Sequence, residues 1–440
     1  MVLHYSIQLP AHLADQFPRG EGGLQAIELA FPLFILSMIV EHFLVRNRSD
    51  LRPAFKYNAC DAVASVSAGL VSEMATYLTG NMLKLLPYAW ILHNLAFTDI
   101  GAHCPTILTV ILVDFGYYWG HRSSHFISLF WAGHGVHHSS EHMTLSTSVR
   151  QGILESNFTG WAWLWMAFFG IPVKTYLFIY QINQIWTFYT HTGVVKTLHP
   201  LVEYFFNTPS HHRVHHARNP HGLDKNFGGF FILWDRMFGT FQAERGDETF
   251  GLVHPIMTGD PVPLQTFHLR ALWSAFWAAP TWRHSFGLLI WSPACAPSDD
   301  GVGWTMHEAP EPENNHLVYD PHPGRGNDRL VRYAIIVGIV TILSYLQVTQ
   351  LFQSLSFGET IVCWALLTLQ LSSVSWMLDG RPTHAVPVEV SRYPLLALQL
   401  GAGPQVAAAM IPVALGIVWY VGLLDSTPTP SAKEASGHKD

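Results

Sequence analysis

P-T-I-L-T-V-I-L-V-D-F-G-Y-Y-W-G-H-R-S-S-H runs from Pro105 to His125. Its first part, up to Gly120, is an almost unbroken apolar run, which reads as a helix entering a hydrocarbon layer about 30 Å thick. It passes directly into His121 and His125. These stand at i and i+4 and so share one helix face. A membrane helix that ends in two paired imidazoles points to a metal site at the bilayer surface.

Two further clusters extend that reading. H-G-V-H-H holds His134, His137 and His138, and H-R-V-H-H holds His212, His215 and His216. Both have the spacing i, i+3, i+4. Neutral imidazole ligates iron, zinc, copper or nickel. One catalytic zinc takes about three protein ligands and a structural one about four, so eight histidines suit two ions better than one. Chance pairs are expected with 26 His in the chain, but three clusters within about a hundred residues are not. Structural zinc usually recruits Cys, and no C-x-x-C pair is present.

Composition sets the class. Hydrophobic residues make up 49% and charged residues 12% of the 440 positions, with 16 Trp and 27 Phe; mean hydropathy is +0.20. Charged content is about half that of an average globular chain. The expectation is an all-α, polytopic membrane bundle with its histidines on the cytosolic face. A net charge of −7 argues against nucleic acid as a partner. Cys60, Cys104, Cys295 and Cys363 are scattered and give no disulfide framework. No cleavable leader is legible, so the first apolar span reads as a retained anchor.

Residues 1–23 read as a peripheral segment and 24–245 as the histidine-bearing membrane core. Residues 246–329 read as a cytosolic loop or linker, 330–424 as C-terminal membrane helices, and 425–440 as a disordered tail. Within the core, Leu24 to Leu44 is a first span. The basic loop of Arg46, Arg48, Arg52 and Lys56 places its end in the cytosol by the positive-inside rule. Residues 59–86 are a second span ending before Pro87, 88–104 a short connection, and Pro105 to Gly120 the third span. That path returns the chain to the cytosol where His121 begins. Residues 153–190, broken at Gly170, Ile171 and Pro172, suit a hairpin that dips into the membrane. Later apolar stretches are Val331 to Phe352, Ile361 to Leu378 and Pro394 to Leu424. Arg381 and Arg392 are expected to flank a cytosolic loop.

Some single residues stand out. Asp114 is an ionisable group inside a span, two turns before His121, and such groups are functional candidates. It is expected to accept a hydrogen bond from a ligand histidine, directly or through water. The alternative is a carboxylate satisfied by Tyr117 or Tyr118. His191 ends the hairpin on the histidine side. A lone His is more often a core residue, but this topology makes it a ninth candidate ligand. His199 is not expected to ligate, nor is His211, which is out of phase with His212. His307, His316 and His322 lack ligand spacing. Asn226 to Phe241 is amphipathic and aromatic and suits an interfacial lid, or else a core helix.

The clusters resemble those of the membrane fatty acid hydroxylase and sterol desaturase superfamily. The fuller likeness is to its ether-lipid-cleaving branch, the alkylglycerol monooxygenases. It rests on D-F-G-Y-Y-W-G-H-R (Asp114 to Arg122), W-A-G-H-G-V-H-H-S-S-E (Trp131 to Glu141) and L-S-T-S-V-R-Q (Leu145 to Gln151). N-T-P-S-H-H-R-V-H-H-A-R-N (Asn207 to Asn219), D-K-N-F-G-G and W-D-R-M-F-G-T-F (Asp224 to Phe241) add to it. N-A-C-D and L-D-G-R-P, with Glu389 and Arg392, extend it more thinly. The resemblance implies two iron ions held by histidines, O2 as co-substrate, a membrane lipid as substrate and tetrahydrobiopterin as electron donor. It implies the endoplasmic reticulum in a eukaryote and the inner membrane in a bacterium. Animal members of that branch tend to carry Glu directly after the second histidine of the first motif, where this chain has Phe126. The runner-up is the same chemistry on a sterol, fatty acyl or sphingoid lipid with a protein electron donor. A metal transporter, from another class, would spread ionisable groups along several spans, whereas these histidines gather at span ends.

Overall fold

The computed structural model describes residues 26–79, 82–103, 106–298, 302–312, 317–319, 328–351, 355–399, 404–421 and 423. The expected peripheral segment 1–23 and tail 425–440 lie outside the described residues, as do Cys104, His316 and His322. The described chain is mostly helical, its strands limited to one short pair, and it divides into two compact units. The first comprises residues to Asn58, Ala68–Ile256 and Gln265–Val318; the second comprises Ala59–Ser67, Met257–Leu264 and the chain from Tyr319.

In the first unit, α1 is Ala26–Arg46, α2 (begun in the second unit) is Ala59–Thr79, and α3 is Met82–Asn94. The third expected span is α4, Thr106–Phe126, which continues through both histidines. Pro87 does not end a helix as expected; it lies inside α3, and the expected connection from residue 88 is helical to Asn94. Proline inside a helix costs about 3 kcal/mol. Here Leu85, Tyr88 and Ala89 are all buried in one core with Val113, Trp163, Met166, Ile171 and Tyr176. Burial of each large side chain contributes about 1.5–3 kcal/mol, which offsets the proline. The Tyr88 hydroxyl also donates to the Ile171 carbonyl at 3.0 Å.

The expected hairpin over 153–190 is present with unequal arms. Its first arm is broken into α7 (Glu155–Phe158), a 3-10 turn and α8 (Leu164–Phe168), with α5 (Ser128–His137) and α6 (Leu145–Ser148) before it. Its second arm is one helix, α9, Val173–Thr190. Short helices α10 (Pro200–Phe205), α11 (Pro209–His215) and α12 (Leu233–Phe238) follow.

Residues expected to be loop between 246 and 329 contain α13 (Pro261–Ala278), α14 (Trp282–Ile290) and a strand pair, β1 (Cys295–Pro297) with β2 (Trp304–Met306). Prolines at the start of α13 and in the turn before α14 disguised two helices as irregular chain. Pro261 occupies a helix start, where the missing N–H is not needed.

The second unit holds α15 (Asp328–Leu351), α16 (Phe357–Leu378), α17 (Pro382–Gln399) and α18 (Pro404–Tyr420). Arg392, expected beside a loop, is instead buried within α17. It donates to Glu389 at 3.0 and 2.8 Å and to Thr341 and Gln370. Glu389 also accepts from Tyr333 and Ser373. A fully hydrogen-bonded pair is what lets both charges stay inside.

Three described helices are long and apolar enough to cross a membrane: Leu29–Arg46 in α1, Asp328–Thr349 in α15 and all of α16. The sequence reading expected more. Both α2 and α4 have the length, but their apolar runs are interrupted by Asp61 and Glu73 in one and by Asp114, His121, Arg122 and His125 in the other.

Candidate metal centre

Four helix ends deliver the histidines. The C-terminal turns of α4 carry His121 and His125. The last turn of α5 carries His134 and His137, with His138 as its C-cap. His191 is the C-cap of α9. Pro209 opens α11, whose last turn holds His212 and His215, with His216 as C-cap. Arg213 joins two of these pieces. It pairs with Glu244 and donates to the carbonyls of Thr192 and Val195, just past His191.

All nine candidate histidines are buried, and they fall into two groups. His121, His125, His134, His138 and His215 form one; His137, His191, His212 and His216 form the other. Within each group the facing nitrogens lie within 4.8 Å of one another. The groups adjoin, since the rings of His138 and His216 stack at 4.4 Å. Phe227 and Trp131 wall the first group, 5.0 and 5.1 Å from the His125 ring.

The outer ring nitrogens fix the tautomers. Nδ1 of His121 meets the Phe227 carbonyl at 2.8 Å, that of His215 the Lys225 carbonyl at 2.9 Å, and that of His137 the Arg150 carbonyl at 3.1 Å. Nδ1 of His191 meets the Thr187 carbonyl at 2.7 Å. Carbonyls only accept, so these Nδ1 atoms carry the proton and each Nε2 presents a lone pair. Carboxylates do the same for His134 (Glu155, 2.7 Å) and His125 (Asp224, 3.3 Å).

Inside each group, lone pairs therefore face lone pairs. Nε2 of His121 and His134 are 3.0 Å apart, and those of His137 and His191 are also 3.0 Å apart. No proton is available to join them, and a cation between them removes the conflict. Nε2 of His125 and of His215 are buried with no hydrogen-bond partner. Nitrogens roughly 2.1 Å from a shared ion at a right angle stand about 3.0 Å apart, against about 3.4 Å for tetrahedral zinc. Pairs at 2.9 to 3.2 Å fit the narrower ligand–metal–ligand angles of higher-coordinate ions. Burial, reinforced by neighbouring imidazoles, pushes the pKa values of His134, His138, His212, His215 and His216 well below the ordinary 6.5. All five are therefore held neutral, as ligands must be.

Asp114 does not meet a histidine. It accepts from the backbone N–H of Phe230 and Phe231, from Trp234 Nε1 and from Asn183 Nδ2, at 2.6 to 3.0 Å. Neither tyrosine satisfies it; the Tyr118 hydroxyl bonds Thr240. Asp114 acts on the histidines through the backbone instead. Asp114 ties down the loop from Asp224 to Phe231, and that loop supplies the acceptors for His125, His215 and His121. Asp235 clamps the same loop through the N–H groups of Phe227 and Gly228. Asn226 bonds the carbonyls of His211 and Gln242. Asp224 and Asn226 both have positive φ, 54° and 56°, a region that short polar side chains tolerate best. The stretch expected to be an interfacial lid or a core helix is a wall clamped by Asp114 and Asp235 that runs into the short α12.

Other residues sort as follows. His211 turns to Glu203 at 3.0 Å and His199 caps α10; neither joins a group. His307 is exposed beside β2. Phe126 is 38% exposed, and its ring packs on Phe227 and under Arg122 rather than into the histidines. Glu155 and Asp224 were not anticipated from the sequence. Glu155 reaches His134 because α5 and the loop before α7 touch backbone to backbone. A Cβ on Gly152 would lie 2.0 Å from the Gly133 carbonyl oxygen, and one on Gly133 would lie 2.6 Å from the Glu155 nitrogen. Gly133, directly before His134, and Gly152, 14 residues after His138, were the available signal.

Residues 106–240 match the family model described as fatty acid hydroxylase. Alkylglycerol monooxygenase of Homo sapiens is 34% identical over 365 residues, covering 82% of this chain and 79% of that protein. The Xenopus tropicalis protein of the same name is 33% identical, covering 74% and 72%. An ornithine lipid hydroxylase of Rhizobium tropici is 27% identical over 31% of this chain and 41% of its own. No solved structure matches. With the fatty acid hydroxylase match enclosing the nine histidines and the two alkylglycerol monooxygenases spanning most of its length, the chain belongs to the alkylglycerol monooxygenase family, membrane oxidoreductases of the lipid monooxygenase type.

Proposed function

We propose that this protein is a di-iron monooxygenase that cleaves the ether bond of alkylglycerols at the cytosolic face of its membrane, using O2 and tetrahydrobiopterin. That membrane is the endoplasmic reticulum in a eukaryotic cell and the inner membrane in a bacterium. The observation that carries the reading is the pairing of inward-facing, unprotonated Nε2 atoms in two adjoining groups of five and four histidines. The nine histidines are the proposed ligands, one iron to each group. When bound, the irons and the reduced pterin supply two electrons to O2, so that one oxygen atom enters a C–H bond and the other leaves as water. Hydroxylation of the carbon beside the ether oxygen gives a hemiacetal, whose collapse releases a fatty aldehyde and glycerol.

The chain's own residues do the positioning. Glu155, Asp224 and the carbonyls of Phe227, Lys225, Arg150 and Thr187 hold the Nδ1 protons and keep each Nε2 free. Such outer partners typically contribute 10–100-fold in metal affinity. Phe227 and Trp131 exclude water from the first group. Phe126 stands outside the histidines, and Glu155 already provides a carboxylate at the five-histidine group.

The test is iron per chain on detergent-purified protein, with aldehyde followed from an alkylglycerol in the presence of O2 and tetrahydrobiopterin. About two irons and pterin-dependent aldehyde are expected, with turnover abolished by His137→Ala. Two irons without aldehyde would move the substrate to a sterol, acyl or sphingoid lipid with a protein electron donor. The partial match to an ornithine lipid hydroxylase is the observation that favours that second reading. No iron and no O2 uptake would refute the oxygenase reading.

A further inference from the structure

The segment Pro261 to Ser298 contains no Asp or Glu, although the whole chain carries a net charge of −7; its basic residues are Arg270 and Arg283. It folds as the hairpin of α13 and α14. One face of this hairpin is exposed and strongly apolar. Trp273, Trp277, Trp282, Phe286 and Ile290 are 67%, 60%, 65%, 59% and 63% exposed. On α13, Arg270, Trp273 and Trp277 share a stripe at i, i+3 and i+7; on α14, Trp282, Phe286 and Ile290 share one at i, i+4 and i+8. Ring contacts join the two stripes, with Trp277 against Trp282 at 6.1 Å and Phe276 against Phe286 at 5.6 Å.

The opposite face is seated. Leu272, His284 and Ser285 are buried, and Ser285 Oγ donates to the Phe276 carbonyl at 2.8 Å. The hairpin also grips α5, the helix of His134 and His137. Ser128 bonds His268 through its hydroxyl and the Trp291 carbonyl through its N–H, both at 2.9 Å. The Phe267 ring lies where a Cβ on Gly135 would be only 3.0 Å away.

We infer that the α13–α14 hairpin is an interfacial docking surface that lies in the headgroup layer of a bilayer rich in anionic lipid and sets the depth of α5 against it. Tryptophan favours the membrane–water boundary, where an apolar ring can keep its N–H wet. Exposed Arg270 and Arg283, with no nearby acidic side chain in the segment, complement anionic headgroups. The 18-residue α13 is not among the described helices long and apolar enough to cross a membrane, and the nine residues of α14 measure about 14 Å, short of a crossing, which leaves the interface as their level. A water-facing loop would not present five large apolar side chains more than half exposed around two arginines. Docking at this surface does not depend on which lipid is oxidised.

The experiment uses the full chain in nanodiscs. Nitroxides at Trp277→Cys and Trp282→Cys, in a background lacking the native cysteines, are compared with one at the exposed Asp50→Cys. Both hairpin labels are expected to be more accessible to O2 and less accessible to a water-soluble nickel chelate than the control. On the unaltered protein, a phosphatidylglycerol with a photoreactive acyl chain should label peptide 271–291. That labelling should rise with anionic lipid content, and the rise should be lost in Arg270→Gln/Arg283→Gln. Nickel accessibility equal to the Asp50 control, or absence of lipid adducts on that peptide, would overturn the inference. So would labels shielded from both reagents, which would mean that a protein partner or a second copy covers the hairpin.

Discussion

Glu155 offers a way to perturb one histidine group and leave the other as an internal control. Its carboxylate accepts from His134 Nδ1 at 2.7 Å, and its second oxygen is buried without a partner. Glu155→Met keeps the side-chain length and removes the acceptor. A hydrogen bond to a charged group contributes about 1.5–3 kcal/mol, and losing such a partner weakens metal binding by about 10–100-fold, or roughly 1.4–2.7 kcal/mol. The two ranges agree, so the five-histidine group should lose about one to two decades in affinity. The four-histidine group takes no hydrogen bond from Glu155 and should be affected far less. In a chelator titration followed by metal analysis, Glu155→Met should release one ion well before the wild type does and retain the other. Glu155→Gln still offers a carbonyl oxygen, and a neutral bond has roughly half the strength of a charge-assisted one, so it should fall between the two. Equal release of both ions, or no change in either, would refute the reasoning. So would Glu155→Gln behaving like Glu155→Met, since the role assigned is that of an acceptor.

Asp114→Ala strands four donors in a buried site; breaking such a cluster should cost about 3–5 kcal/mol, read as a lowered thermal midpoint together with metal-poor protein. His211→Ala removes a histidine that faces Glu203 and lies outside both groups, so metal content should equal wild type. Phe126→Glu alters a partly exposed side chain outside the histidines; the expected change in rate and metal content is within about twofold, in line with surface substitutions of ±0.5 kcal/mol, and a large gain or loss would show that this position does act on the site. The pH dependence follows from the depressed imidazole pKa values of His134, His138, His212, His215 and His216. With folded values below 6.5, protons compete with metal only at lower pH. Metal loading measured at pH 6 should therefore match that at pH 7.5 and collapse on further acidification; a midpoint at 6.5 would contradict the burial.

Helical periodicity made the histidines legible, because three imidazoles at i, i+3 and i+4 have no common use on a solvated helix. The acceptors that orient them were not legible in the same way. Four of the six are backbone carbonyls, which carry no residue identity at all. The two carboxylates come from chain segments 21 and 99 residues away from their histidines, so no local spacing announces them. Asp114 is buried, but three of its four partners are N–H groups more than a hundred residues on, and a helix-face argument pointed to His121 instead. The same limit hid α13 and α14. Their prolines and isolated polar residues imitate a loop, while the contacts that make them helices lie on α5. Pro87 failed as a stop signal because packing outweighed it.

The division of the histidines follows from a single helical parameter. At 3.6 residues per turn, successive side chains point about 100° apart. In H-G-V-H-H, His134 and His138 therefore diverge by about 40°, while His137 lies about 60° to the other side of His134. Accordingly His134 and His138 serve the five-histidine group and His137 crosses to the other. H-R-V-H-H repeats the geometry with the assignment inverted: His212 and His216 stay together in the four-histidine group, and His215 crosses. Each motif thus straddles both groups, and the two helix ends hold them side by side. Neighbouring residues of one motif should then govern different ions. His138→Ala should weaken the ion that Glu155→Met weakens, so that combining the two adds no second released ion. His137→Ala should release the other ion, and with Glu155→Met it should leave neither bound at a chelator concentration that strips only one from each single variant. If His137→Ala and His138→Ala instead release the same ion, the two-group partition is wrong.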